Sequence, residues 1–114
     1  MNDRKKVLLC VDGSENALRA VEFARDLLAP LDAYFTLLVV VTPMDCDYFM
    51  EKDAPICDVD GIGRAKSRAA SSLLEEAAMD HCLSALTGNP AEVILKLSGK
   101  HSLVVMGRKG SGSL

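Results

Sequence analysis

The sequence has 114 residues, of which 49% are hydrophobic and 25% charged; this is one domain of globular composition, and it excludes two full domains and a disordered or collagen-like chain. The net charge of −3, from 13 Lys and Arg against 16 Asp and Glu, argues against nucleic-acid binding through a basic surface. The longest strongly apolar run, Leu37 to Val41, falls far short of the roughly 20 residues that span a bilayer, and Val7 to Val11 is too short for a signal-peptide core, so a cytoplasmic protein with no membrane partner is expected.

Val7-Leu8-Leu9-Cys10-Val11 is a continuous apolar run stopped by Asp12-Gly13-Ser14, the pattern of a strand buried on both faces that ends in a strand-to-helix turn. Ser14 supplies a helix cap, and Glu15 a first-turn negative charge that the helix dipole favours. Ala17, Val21, Ala24 and Leu28 recur at helical spacing, widened by Leu18 and Leu27, until Pro30 stops the helix. Thr36 to Val41 repeats the buried-strand pattern. Residues 42–61 have no clear period and carry Pro43, Pro55 and six acids (Asp45, Asp47, Glu51, Asp53, Asp58, Asp60) against one base, Lys52. They predict a long loop, of the kind that in compact domains is functional or mobile.

Ile62, Ala65, Ala69, Leu73 and Ala77, with Leu74 and Ala78 beside them, predict the next helix, and Cys82 to Leu86 a short strand. Thr87-Gly88-Asn89-Pro90 is a turn with a helix start built in: Asn89 is the cap, Pro90 takes the first helical position, and Glu92 follows the cap at the capping-box spacing. Val93, Ile94 and Leu97 are expected to face the core, and Gly99 to close the helix. Ser102 to Met106 is the fourth strand, which runs into Gly107-Arg108-Lys109-Gly110-Ser111-Gly112-Ser113-Leu114. Strands alternating with helices imply an α/β fold, a doubly wound parallel sheet in a single domain over residues 1–114. A strand order of 3-2-1-4 would set the ends of the first and fourth strands side by side in one crevice.

Cys10, Cys46, Cys57 and Cys82 show no CxxC spacing and no secretory signal, so reduced thiols are expected, with Cys10 a small core hydrophobe. A zinc set of Cys46, Cys57, Cys82 and His81 lacks closely spaced ligand pairs. A calcium loop around Asp58-Val59-Asp60-Gly61 fails because Ile56 and Ser67 stand where Asp and Glu are needed. His81 and His101 read as isolated residues at element ends. With neither a nucleophile beside its base nor paired carboxylates, no catalytic residue is assigned and a non-enzymatic protein is expected.

In an open parallel sheet ligands bind beyond the carboxyl ends of the strands. Val11 to Ser14 and Gly107 to Ser113 both fall there. Glycines in the second segment let backbone N–H groups approach phosphate oxygens, Ser111 and Ser113 add hydroxyls, and Arg108 and Lys109 add charge. The same segment also reads as a flexible Gly/Ser end, and it matches neither the Walker loop nor GxGxxG.

Val7 to Asn16, Leu37 to Val41, Gly88-Asn89-Pro90 and Leu103-Val104-Val105-Met106-Gly107-Arg108-Lys109-Gly110, in this order along the chain, resemble the universal stress protein family. The resemblance implies a Rossmann-like fold of the adenine-nucleotide type with sheet order 3-2-1-4-5, a homodimer, and ATP (with Mg2+) or AMP as ligand. It places Val11 and Asp12 against the nucleotide, Val40 and Val41 beside the adenine, and Met106, Gly107 and Gly110 along the ribose and phosphates, where Arg108, at a position at which the family often has Ser, adds a cation but alters the cradle and Ser111 adds a hydroxyl. The family's ATP-binding branch continues to a Gly-Ser or Gly-Thr pair nine residues after the second glycine, and that count from Gly110 passes Leu114. The last helix and fifth strand likewise fall beyond it, so the resemblance implies either an incomplete chain or a shortened member with weakened phosphate binding. A homologue acting by dimerisation without nucleotide is the alternative. An adenylating enzyme of related sheet type would need Ser-Gly-Gly-x-Asp-Ser after the first strand, where this chain has Asp12-Gly13-Ser14-Glu15-Asn16.

Overall fold

The computed structural model describes residues 4–49 and 57–107. The elements run β1 (Lys5–Cys10), α1 (Glu15–Leu28), β2 (Ala33–Val41), α2 (Pro43–Phe49), α3 (Val59–Glu76), β3 (His81–Thr87), α4 (Pro90–Ser98) and β4 (Leu103–Met106). The strands form one sheet in the order β3-β2-β1-β4, with every pairing parallel. This is the expected order, and it sets Cys10 opposite Met106 where β1 and β4 end.

Side chains alternate across a sheet, and that alternation sorts the core. Val7, Leu9, Phe35, Leu37, Val39 and Val41 turn to one face and are buried with Val21, Ala24 and Leu28 of α1 and Ile62, Ala70 and Leu74 of α3. Leu8 and Leu38 are buried on the other face. There α4 crosses over: His101, just past its end, brings Nε2 to 3.3 Å from Thr36 Oγ1. The helices thus cover both faces, as double winding requires. At the amino ends of the strands Arg4 reaches Asp32 at 3.0 Å and Asp80 at 2.9 Å, clasping the starts of β1, β2 and β3.

Four expectations change. The loop expected over 42–61 holds helix instead: Thr42 and Asp45 form a reciprocal cap at the start of α2, the Thr42 N–H donating to Asp45 Oδ2 at 2.9 Å and the Asp45 N–H to Thr42 Oγ1 at 3.2 Å. Asp58 then caps α3 through the Gly61 N–H at 3.0 Å, and residues 50–56 of the expected loop lie outside the described set. The buried face of α3 is also rotated, with Ile62, Gly63, Ser67, Ala70 and Leu74 inward and Ala65, Ala69 and Ala77 exposed. Small residues win the contact because α3 lies close on the sheet, and Ser67 satisfies its buried hydroxyl on the Gly63 carbonyl at 2.7 Å.

Cys46 and Cys57 are joined in a disulfide, against the expectation of reduced thiols. Formation of α2 brings their Cα atoms to 5.2 Å, within bridging range. Burial pushes the Cys10 thiol up to about 11, which keeps it protonated and inert. Finally, α4 has no buried residue. Val93, Ile94 and Leu97 are only half-buried, because no other described helix shares that face of the sheet.

Candidate functional site

The crevice is built where β1, β2 and β4 end. The Val11 N–H donates to the Leu38 carbonyl at 2.9 Å, carrying the β1–β2 ladder one residue past the strand. The chain then turns sharply at Gly13, whose φ of +86° suits a residue without a Cβ. Asp12 Oδ1 accepts the Ser14 N–H at 2.9 Å, and Ser14 Oγ accepts the Ala17 N–H at 3.2 Å, so one turn is fixed at both ends and starts α1. Asp12 itself is exposed. Partial burial raises its pKa, but hydrogen bonds from Ser14 and its own N–H, with the positive charge of Lys66, outweigh this and hold the carboxyl below its usual range.

On β4, Met106 is 55% exposed and Gly107 abuts the start of α1. A Cβ at Gly107 would stand 2.7 Å from the Ala17 nitrogen and the Asn16 carbonyl carbon. The sequence offers approach to a phosphate as the reason for this glycine. The φ is not positive, and close backbone approach is what demands glycine.

On β2, Val40 is half-buried while Val41 is 1% exposed within the core, so a ligand would meet Val41 only through its backbone. Val11, Asp12, Val40, Met106 and Gly107 therefore stand at or just past the carboxyl ends of β1, β2 and β4, at one end of the sheet. Arg108, Gly110 and Ser111 lie outside the described residues.

One residue not singled out in the sequence reaches this end of the sheet as well. Lys66 of α3 packs its stem against the position of Gly13 and pairs with Asp45 at 2.7 Å. With Val11, Gly13 and Ser14 it lines a cleft of about 80 Å³ between α1 and α3, too small for a nucleotide, whose sites run to several hundred Å³. The larger groove, about 590 Å³, lies elsewhere, between α3 and β3. It holds a pairing that sequence spacing did not reveal: His81 is not isolated but 2.9 Å from Ser71 Oγ.

Among known proteins, the universal stress protein family model matches residues 3–114. No curated protein matches the chain significantly. Solved structures share the fold: a universal stress protein family protein from Arabidopsis thaliana with AMP bound (19% identity, 96% of this chain and 80% of that one, TM-score 0.69), and one from Burkholderia pseudomallei (20% identity, 91% and 81%, TM-score 0.66). A universal stress protein in complex with cAMP matches at 24% identity over 88% of this chain and 69% of that one, with a TM-score of 0.63.

Proposed function

The chain belongs to the universal stress protein family, and from that premise we propose that it is a cytoplasmic regulatory protein that binds an adenine nucleotide at the carboxyl ends of β1, β2 and β4 without turning it over. The observation that carries this reading is the abutment of Gly107 on the first turn of α1, which brings the two strand ends and a helix N-terminus to one point, where backbone N–H groups and the helix dipole favour an anion. The AMP and cAMP held by structures of the same fold support the choice of adenine. Asp12, exposed and ionised at the end of β1, suits a ribose hydroxyl donor. Val40 offers the half-buried apolar surface for the base, and Val41 its backbone. Gly107, Arg108, Gly110 and Ser111 would serve the phosphates, with Mg2+ accompanying ATP.

A second reading, a homodimer acting through protein contact alone, draws on the exposed apolar side chains Leu95, Leu103 and Met106 along α4 and β4. Calorimetric titration of ATP and AMP, together with mass spectrometry of small molecules released from the purified protein by heat, separates the two. Saturable binding of either nucleotide supports the first reading. Its absence from both measurements leaves the second.

A further inference from the structure

Along α3 and β3, the outermost strand of the sheet among the described residues, runs an open groove of about 590 Å³, within the range of small-molecule sites. Leu37, Leu83 and Ala85 give it an apolar floor, and Arg64, Arg68 and Ser71 line one wall. Ser71 Oγ lies 2.9 Å from His81 Nε2, and His81 Nδ1 lies 2.9 Å from the Met79 carbonyl oxygen. A carbonyl can only accept, so Nδ1 carries the imidazole proton, Nε2 is bare, and the Ser71 hydroxyl donates to it. Glu75 Oε1 is 3.4 Å from the same hydroxyl, the longer contact and the weaker competitor for its one proton. A hydroxyl on a base, with the base oriented by a third group, is the arrangement that activates a serine.

We propose that this groove is a second site, where Ser71 is the nucleophile and His81 the general base for acyl transfer from small carboxylic esters that carry a negative charge. Arg64, Arg68 and Ser71 follow one another along one face of α3 by helical spacing and all line the groove, so the two guanidinium groups are available along the wall leading to the nucleophile to hold the anionic end of the ester. Asp60 and Glu75 line the groove as well, which confines the positive region to its middle. In the first step a bond forms between Ser71 Oγ and the ester carbonyl carbon as the hydroxyl proton passes to His81 Nε2. The carbon–alkoxy bond then breaks, and that proton leaves with the alcohol. Water attacks the acyl-serine, giving its proton to Nε2, and release of the acid restores the Ser71 hydroxyl. This inference does not depend on nucleotide binding at the carboxyl ends of β1, β2 and β4.

A fluorophosphonate tests it on the unaltered protein. Ser71 Oγ should displace fluoride from phosphorus, leaving an adduct that peptide mass spectrometry locates. We expect the adduct on Ser71, none at that peptide in Ser71→Ala, and labelling slowed about a hundredfold in His81→Gln, the scale of a lost general base. Hydrolysis of the para-nitrophenyl half-ester of succinic acid should exceed that of para-nitrophenyl acetate, and Arg64→Ala with Arg68→Ala should remove the preference. Absence of the adduct after exhaustive exposure overturns the proposal, as does labelling of the neighbouring Ser72 at the same rate, or an unchanged rate in folded His81→Gln. Equal hydrolysis of the two esters overturns the assignment of an anionic substrate.

Discussion

Lys66 Nζ lies 2.7 Å from Asp45 Oδ1, with the two side chains only 17% and 19% exposed. The pair joins α3 to the cap of α2, because the other oxygen of Asp45 accepts from the N–H and hydroxyl of Thr42. Burial raises the Asp45 pKa, but Lys66 and Thr42 outweigh it and hold the carboxyl below its ordinary 3.8. A depressed carboxyl pKa stabilises the fold above the ordinary value, and that stabilisation is lost as pH falls through the lowered folded value. Lys66→Met should therefore cost about 1–3 kcal/mol at neutral pH, between the values for exposed and buried pairs. The variant should also lose less further stability than the parent below about pH 4. Urea unfolding across that range checks both statements.

Gly107→Ala should destabilise the protein by about 1–3 kcal/mol, the scale of overpacking, and weaken any nucleotide binding with it. The added methyl would stand 2.7 Å from backbone atoms of Asn16 and Ala17, which cannot swing aside as a side chain can. A thermal melt paired with calorimetry reads the two effects. A variant as stable as the parent would show that β4 does not press on α1 at this point.

Reducing the Cys46–Cys57 bond, or replacing both residues by Ala, should lower stability by about 2–4 kcal/mol, because an open chain regains loop entropy when it unfolds. The two cysteines are 11 residues apart, Cys46 within α2 and Cys57 immediately before the Asp58 cap of α3, so helix signal should fall at the same time. Intact mass with and without reductant gives the bond's occupancy, and paired melts give its worth.

The strands, the order of the sheet and the caps at Ser14 and Asn89 were legible because each is written locally, in an apolar run or in a cap beside a helical stripe. The start of α2 was also written locally, in Thr42 and Asp45, but the prolines and crowded acids around it argued the other way. The disulfide, the rotated face of α3 and the Ser71–His81 contact were not legible, since each depends on how α2 and α3 lie in space. The meeting of the β1 and β4 ends was legible in position and only partly in cause. Asp12 and Gly107 lie where the sheet rule puts them, but the reason Gly107 must be glycine is the backbone of α1, and Lys66 comes from a helix that no motif tied to the crevice.

Gly63 decides how closely α3 lies on β3, and with it whether Ser71 reaches His81. A Cβ built at Gly63 would stand 2.5 Å from the Ala85 Cβ, far inside the roughly 3.5–4.0 Å at which carbon atoms attract. Two effects oppose each other in Gly63→Ala. Alanine favours the helix by about 0.8–1.0 kcal/mol, while the clash forces α3 off the strand at about 1–3 kcal/mol. The clash should win, giving a net loss of about 1 kcal/mol and, through the altered spacing, slower fluorophosphonate labelling of Ser71. Ala85→Gly removes the opposing methyl, and in that background the same Gly63→Ala change should stabilise the protein. The change of sign in the double-mutant cycle is the readout. If Gly63→Ala stabilises both backgrounds equally, α3 and β3 do not meet at Ala85, and the fit that aligns Ser71 with His81 must be set elsewhere along the helix.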